Sequence, residues 1–135
     1  MRPMKWDEAK LPLIKFKEGD YSRPLRITFA GDIMQHGKQL EYEKTNGYAG
    51  VFDHIKEFLV GDMVIGNLET VFAGTDEIDP NNGAPIFSAH DSLAVALRRA
   101  GFTHIAICNN HMYDHGLEGL NRTVKVLKDA GLTVL

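Results

Sequence analysis

The stretch AGFTHIAICNNHMYDHGL, residues 100–117, decides the fold. Gly101 ends a helical pattern, THIAIC (103–108) follows as an apolar run rich in β-branched residues, and the chain then breaks into Asn109, Asn110, His111, Asp114 and His115. A short apolar run held between two glycine-stopped helical segments reads as a strand inside a parallel sheet. Upstream, Leu93, Ala96, Leu97 and Ala100 share one helical face, with Asp91 or Ser92 placed to cap it. Downstream, Leu117, Leu120, Val124 and Leu127 recur at three- and four-residue steps until Gly131, and LTVL then reads as one more strand.

The alternation extends toward the N-terminus. LRITFA (25–30) predicts a mostly buried strand running into a Gly31-Asp32 loop, and DMVIGN (62–67) predicts a second strand closed by polar residues. Between them Val51, Ile55, Phe58 and Leu59 fall on one helical face, so a helix is expected over 48–59, stopped by Gly61. Residues 73–87 are rich in Gly, Pro, Asn and Asp and predict a long loop. Residues 1–24 lack periodicity and read as an irregular arm, with a short strand at 13–16. Strand and helix in alternation predict an α/β domain over 25–135, with right-handed βαβ crossovers and helices covering a parallel sheet.

Bulk properties exclude more than they assign. A chain of 135 residues with 44% hydrophobic and 24% charged residues has the composition of a single folded domain. A net charge of −3 without a dense Lys/Arg cluster gives no footprint for nucleic acid or an anionic membrane surface. The first residues, MRPMKWDEAKLPLIKF, carry charges throughout and contain no signal-peptide or membrane-spanning run, so cellular location stays open. The single cysteine, Cys108, cannot form an internal disulfide and is expected to fill space on its strand.

An open parallel sheet gathers ligands at the carboxyl ends of its strands, where the loops converge. Three successive strands end there in groups able to hold a cation: Asp32, then Asn67 and Glu69, then Asn109, Asn110 and His111. Carboxylate and amide oxygens suit hard divalent cations, and zinc, manganese or iron also accept imidazole nitrogen. Taken singly, each piece also reads as ordinary turn chemistry. Their shared edge favours a site. Asp114 is placed either to orient His111 or to cap the next helix, and His36, near Asp32, is a further candidate. His90, just before a helix, is a weaker one, while His54 and His104 read as packed or solvent-facing residues.

These residues carry a resemblance. FAGDIM (29–34), DMVIGNLET (62–70), Phe87 and AGFTHIAICNNHMYDHGLEGLNRTVKVLKDAGL (100–132) resemble, in order, motifs of the CapA family of capsule and poly-γ-glutamate synthesis proteins. That family's domain is a variant of the calcineurin-like metallophosphoesterase fold, so the resemblance implies the N-terminal half of such a fold over about residues 25–135. It further implies Asp32, Glu69 and Asn110 as ligands of one or two divalent cations (Mn, Zn, Fe or Mg), with Glu69 at the bridging position. His111 would contact phosphate or donate a proton to the leaving group, with Asn67, Asn109, Asp114 and His36 in support. In such chemistry the cations polarise the scissile group and activate water.

The sequence departs from the metallophosphoesterase pattern in two places. Met34 stands where the usual histidine follows the first aspartate, which leaves His36 out of register. Later His-bearing segments of the family have no counterpart here, so the expected metal shell is incomplete and an apolar sheet edge is expected to be exposed. The expected function is therefore a metal-dependent phosphoesterase-type domain acting on a phosphoester or anionic polymer. Alternatives are a polymer- or partner-binding module without catalysis, or a remnant that oligomerises or pairs with a missing C-terminal half.

Overall fold

A computed structural model describes residues 24–74 and 86–135. The N-terminal arm, its expected strand at 13–16 and residues 75–85 of the long loop lie outside the described residues. Four strands alternate with three helices: β1 (Ile27–Ile33), α1 (Lys38–Asn46), β2 (Met63–Leu68), α2 (Ser92–Ala100), β3 (His104–Ala106), α3 (Gly116–Asp129) and β4 (Thr133–Val134). The strands lie in sequence order and every pair is parallel. Right-handed crossovers in that order carry all connections over one face of the sheet. The helices therefore cover one face rather than both.

Burial along β2 follows this arrangement. Val64, Gly66 and Leu68 are buried, while Met63, Ile65 and Asn67 are only partly covered. The buried set joins Leu93, Ala94 and Leu97 of α2, Phe102, Ile105 of β3 and Leu127 of α3 in one core. Truncating any of the fully buried leucines to alanine would cost about 2–5 kcal/mol. On the other face Phe29 pairs with Ile65, and Ile65 with His104. Phe29 is 73% exposed there, so β1 is not the mostly buried strand its composition suggests.

β1 also runs further than expected, through Gly31 and Asp32 to Ile33. Phe29 pairs with Ile65 and Asp32 with Asn67, so Ala30 and Gly31 stand opposite the single Gly66 as a bulge. Side chains alternate faces along a strand, and regular pairing would have set Asp32 against the buried Leu68. The extra residue instead sets Asp32 beside Asn67 and turns Ile33 toward the core.

The helix expected over 48–59 is absent. Residues 47–58 form consecutive turns with bonds such as Val51 N–H to Tyr48 C=O and Phe58 N–H to Ile55 C=O. Gly47 and Gly50, at φ 62° and 78°, interrupt the helical path. Val51, Ile55 and Phe58 are consequently exposed, and Leu59 alone of that stripe is buried. The helix here is α1, which has no apolar stripe and no buried residue. Beneath it lies a cavity of about 480 Å³, bordered by Ala30, Asp32, Ile33, Gln35, Tyr48 and Phe52. Gln35 and Tyr48 are both buried there, the tyrosine hydroxyl donating to Gln35 Oε1 at 2.5 Å. Burial, with the nearby Glu43 adding to it, pushes the Tyr48 hydroxyl well above the ordinary tyrosine range.

α2 ends as expected at Gly101, whose φ is 118° and whose N–H bonds back to Arg98 and Leu97. Its start is not capped by Asp91; the Ser92 N–H donates to His90 Nδ1 at 3.2 Å. The Asp91 carboxylate instead receives Arg122 of α3 through two bonds, of 2.6 and 2.8 Å. Arg122 also donates to Phe72 C=O at 2.7 Å. Val71 bridges Ser88, and Ala89 N–H donates to Val71 C=O at 2.8 Å, so both ends of the long loop are tied together. In α3 the buried positions are Gly119, Thr123 and Leu127, and Leu117 lies outside the stripe. Cys108 is exposed beyond the end of β3 and does not fill space.

Candidate functional site

Asp32, Asn67, Glu69, Asn109, Asn110 and His111 lie at the carboxyl edge of β1, β2 and β3. The bulge brings Asp32 to Asn67, whose Nδ2 donates to Asp32 Oδ1 at 2.8 Å. Glu69 follows one residue after β2, its N–H held by Ile33 C=O at 3.0 Å. Beyond β3 the chain turns back, and Asn109 Nδ2 donates both to Asn67 Oδ1 at 3.1 Å and to Leu68 C=O at 2.8 Å. Asn109 Oδ1 accepts the His111 N–H at 3.1 Å. Side chains thus cross-link the ends of three neighbouring strands.

His111 is the most constrained of the set. Its Nδ1 lies 2.9 Å from Asp114 Oδ2, which also accepts the Phe87 N–H at 3.0 Å. An ionised carboxylate only accepts, so Nδ1 carries the proton and Nε2 is the nitrogen presented outward. Nε2 lies 3.9 Å from Glu69 Oε1. Asp114 therefore orients the imidazole rather than capping α3, which begins without a side-chain cap at His115. Asn110 and Asp32 are exposed.

Phe87 is the contribution that residue chemistry did not mark. Its ring meets His111 edge-on at 4.4 Å between centroids and meets His36 at 5.5 Å. His36 therefore reaches the same rim, separated from His111 by one phenylalanine. A buried aromatic at a loop exit is a weak signal in sequence, because most such residues are simply core. His104 and His90 bond elsewhere: His104 Nδ1 lies 2.8 Å from Thr103 Oγ1, and His90 Nδ1 lies 2.8 Å from Ser92 Oγ.

The donor set comprises two carboxylates, an amide and an imidazole. These are oxygen-dominated donors of the kind that hold hard or borderline divalent cations. Among the described residues no three His, Cys, Asp or Glu side chains converge closely enough to hold an ion on their own. None of the described helices is long and apolar enough to cross a membrane.

A parallel α/β sheet with its polar groups gathered at one carboxyl edge is consistent with part of a metallophosphoesterase-like fold. The chain belongs to the family described as bacterial capsule synthesis protein PGA_cap, which matches residues 26–135. It is similar to the capsule biosynthesis protein CapA of Bacillus anthracis, with 33% identity over 128 residues, covering 93% of this chain and 30% of that protein. It is also similar to the proteins y4sH and y4uA of Sinorhizobium fredii, each 30% identical over 94 residues, or 64% of this chain and 20% of theirs. The chain thus spans less than a third of the length of these relatives.

Proposed function

We propose that this chain carries part of a metal-dependent phosphoesterase-type centre used in making or handling a capsular anionic polymer such as poly-γ-glutamate. The observation that carries the reading is His111, its Nδ1 engaged by Asp114 and its Nε2 facing Glu69 at the edge where Asp32 arrives. Asp32, Glu69 and Asn110 would hold one or two divalent cations, of which Mn²⁺, Zn²⁺, Fe²⁺ and Mg²⁺ suit the donors. A bound cation supplies charge neutralisation and Lewis acidity at a phosphoryl group. With a proton on Nε2 as well as on Nδ1, His111 would donate the Nε2 proton to a phosphoryl oxygen or to a leaving oxygen. Asp114 keeps that nitrogen outward throughout, and its bond to Phe87 N–H keeps the carboxylate itself in place.

Mn²⁺ or Zn²⁺ should raise the thermal midpoint of the chain, and the Asp32→Ala/Glu69→Ala double variant should lose that rise. Equal midpoints with and without metal in both proteins would sink the ligand assignment. Turnover of an aryl phosphate ester that disappears in His111→Ala would support the catalytic role. A second reading is favoured by the partial donor set: a module that binds polymer or partner without catalysis. Metal-independent polymer binding with no ester turnover would select it.

A further inference from the structure

The hydrogen bonds at the strand ends run in one fixed direction, and that direction determines which oxygen Asp32 has to offer. Leu68 C=O can only accept, so the Asn109 group beside it must be the NH₂. The His111 N–H can only donate, so Asn109 presents oxygen to it. With both hydrogens and its oxygen engaged, Asn109 also imposes an orientation on its neighbour. Its second N–H meets Asn67, which must turn Oδ1 toward it and Nδ2 toward Asp32. The orientation of both amides is thereby set by groups whose roles cannot be exchanged, which removes the usual ambiguity of amide side chains.

We infer that Asn109 is a positioning residue: through Asn67 it keeps a donor on Asp32 Oδ1, leaving Oδ2 as the oxygen free for a cation. This rests on the reading of Asp32 as a ligand. Asn109 itself has no N–H left to give a ligand. Partners that orient a ligand typically change metal affinity about 10–100-fold when lost.

The test compares Asn109→Asp with Asn109→Ala in the full chain, by Mn²⁺ calorimetry, thermal midpoint without metal, and exchange of the Asn67 side-chain amide protons. Asn109→Asp has no hydrogen to give, so Asn67 reverses and turns its oxygen toward Asp32. Mn²⁺ affinity should then fall about 10-fold or more, although the substitution adds a negative charge that by itself would strengthen cation binding. Asn109→Ala releases Asn67 to rotate, so the Asn67 amide protons should exchange faster and Mn²⁺ affinity should again fall about 10-fold. Affinity losses that merely follow the midpoint, or an Asn109→Asp chain that binds Mn²⁺ as tightly as wild type, would overturn the positioning role alone. A wild-type chain that binds no Mn²⁺ while its Asn67 amide protons exchange slowly would overturn the ligand reading of Asp32, and this role with it.

Discussion

At the scale of single residues, the described segments contain positions that admit one side chain for reasons sequence shows only in part. Gly101 has the left-handed φ of a helix stop, and a Cβ there would lie 2.6 Å from the Leu59 carbonyl oxygen. Gly101→Ala combines the left-handed penalty, about 1–2 kcal/mol, with a backbone clash. A loss of at least about 2 kcal/mol is expected, measured as a reduced midpoint in urea at unchanged slope. The stop itself was legible, because glycine after an amphipathic run is a frequent helix ending. The meeting of Asp32, Glu69 and His111 at one sheet edge was legible for a related reason: each follows an apolar run, where a carboxylate or imidazole has few packing roles. The assignment of Asn109 to hydrogen bonding was not legible. Nothing in NNH says which asparagine bonds back to Leu68 and which stays exposed.

Elements obey a different logic, in which periodicity is a good guide only when backbone geometry permits it. The stripe at Val51, Ile55 and Phe58 has helical spacing, yet glycines at 47 and 50 place it on turns. The helix forms instead at Lys38–Asn46, where Lys, Gln, Leu and Glu favour helix without any apolar stripe to announce it. The β1 bulge is likewise invisible in FAGDI, because register is a property of two strands. Its consequence reaches the packing of β2: a Cβ on Gly66 would lie 2.6 Å from Ile33 Cδ1 and 2.8 Å from Phe102 Cε1. Gly66→Ala should cost about 1–3 kcal/mol by overpacking. Ile33→Val removes one of the two opposing atoms, so the double variant should recover part of the loss. A thermodynamic cycle giving a coupling of less than about 0.5 kcal/mol would argue that Ile33 does not share that space.

For the whole molecule, the order of strand and helix and the convergence on one edge followed from the sequence pattern, and the described fold agrees. Which face of the sheet stays open did not follow, because β1 is apolar on both of its faces. Ile27 and Phe29 look like core residues and are 41% and 73% exposed. An exposed apolar sheet face favours association, and burying one phenylalanine contributes about 1.5–3 kcal/mol. Light scattering across a concentration series should show association of this chain, and Phe29→Lys should shift it to concentrations about 10-fold higher or more. A monomer at every concentration would mean that this face is not a contact surface.

The tie between Val71, Ser88, Asp91 and Arg122 has a consequence for how this family can vary. Closing a loop is entropically expensive once, and the cost then grows only with the logarithm of its length, about 0.6 kcal/mol per doubling. Because the two ends of the 73–87 span are fastened independently of what lies between them, residues can be added or exchanged there with little penalty to the fold. Phe87 would still be delivered to His111. The strand ends can stay constant while the neighbouring span changes in length or composition.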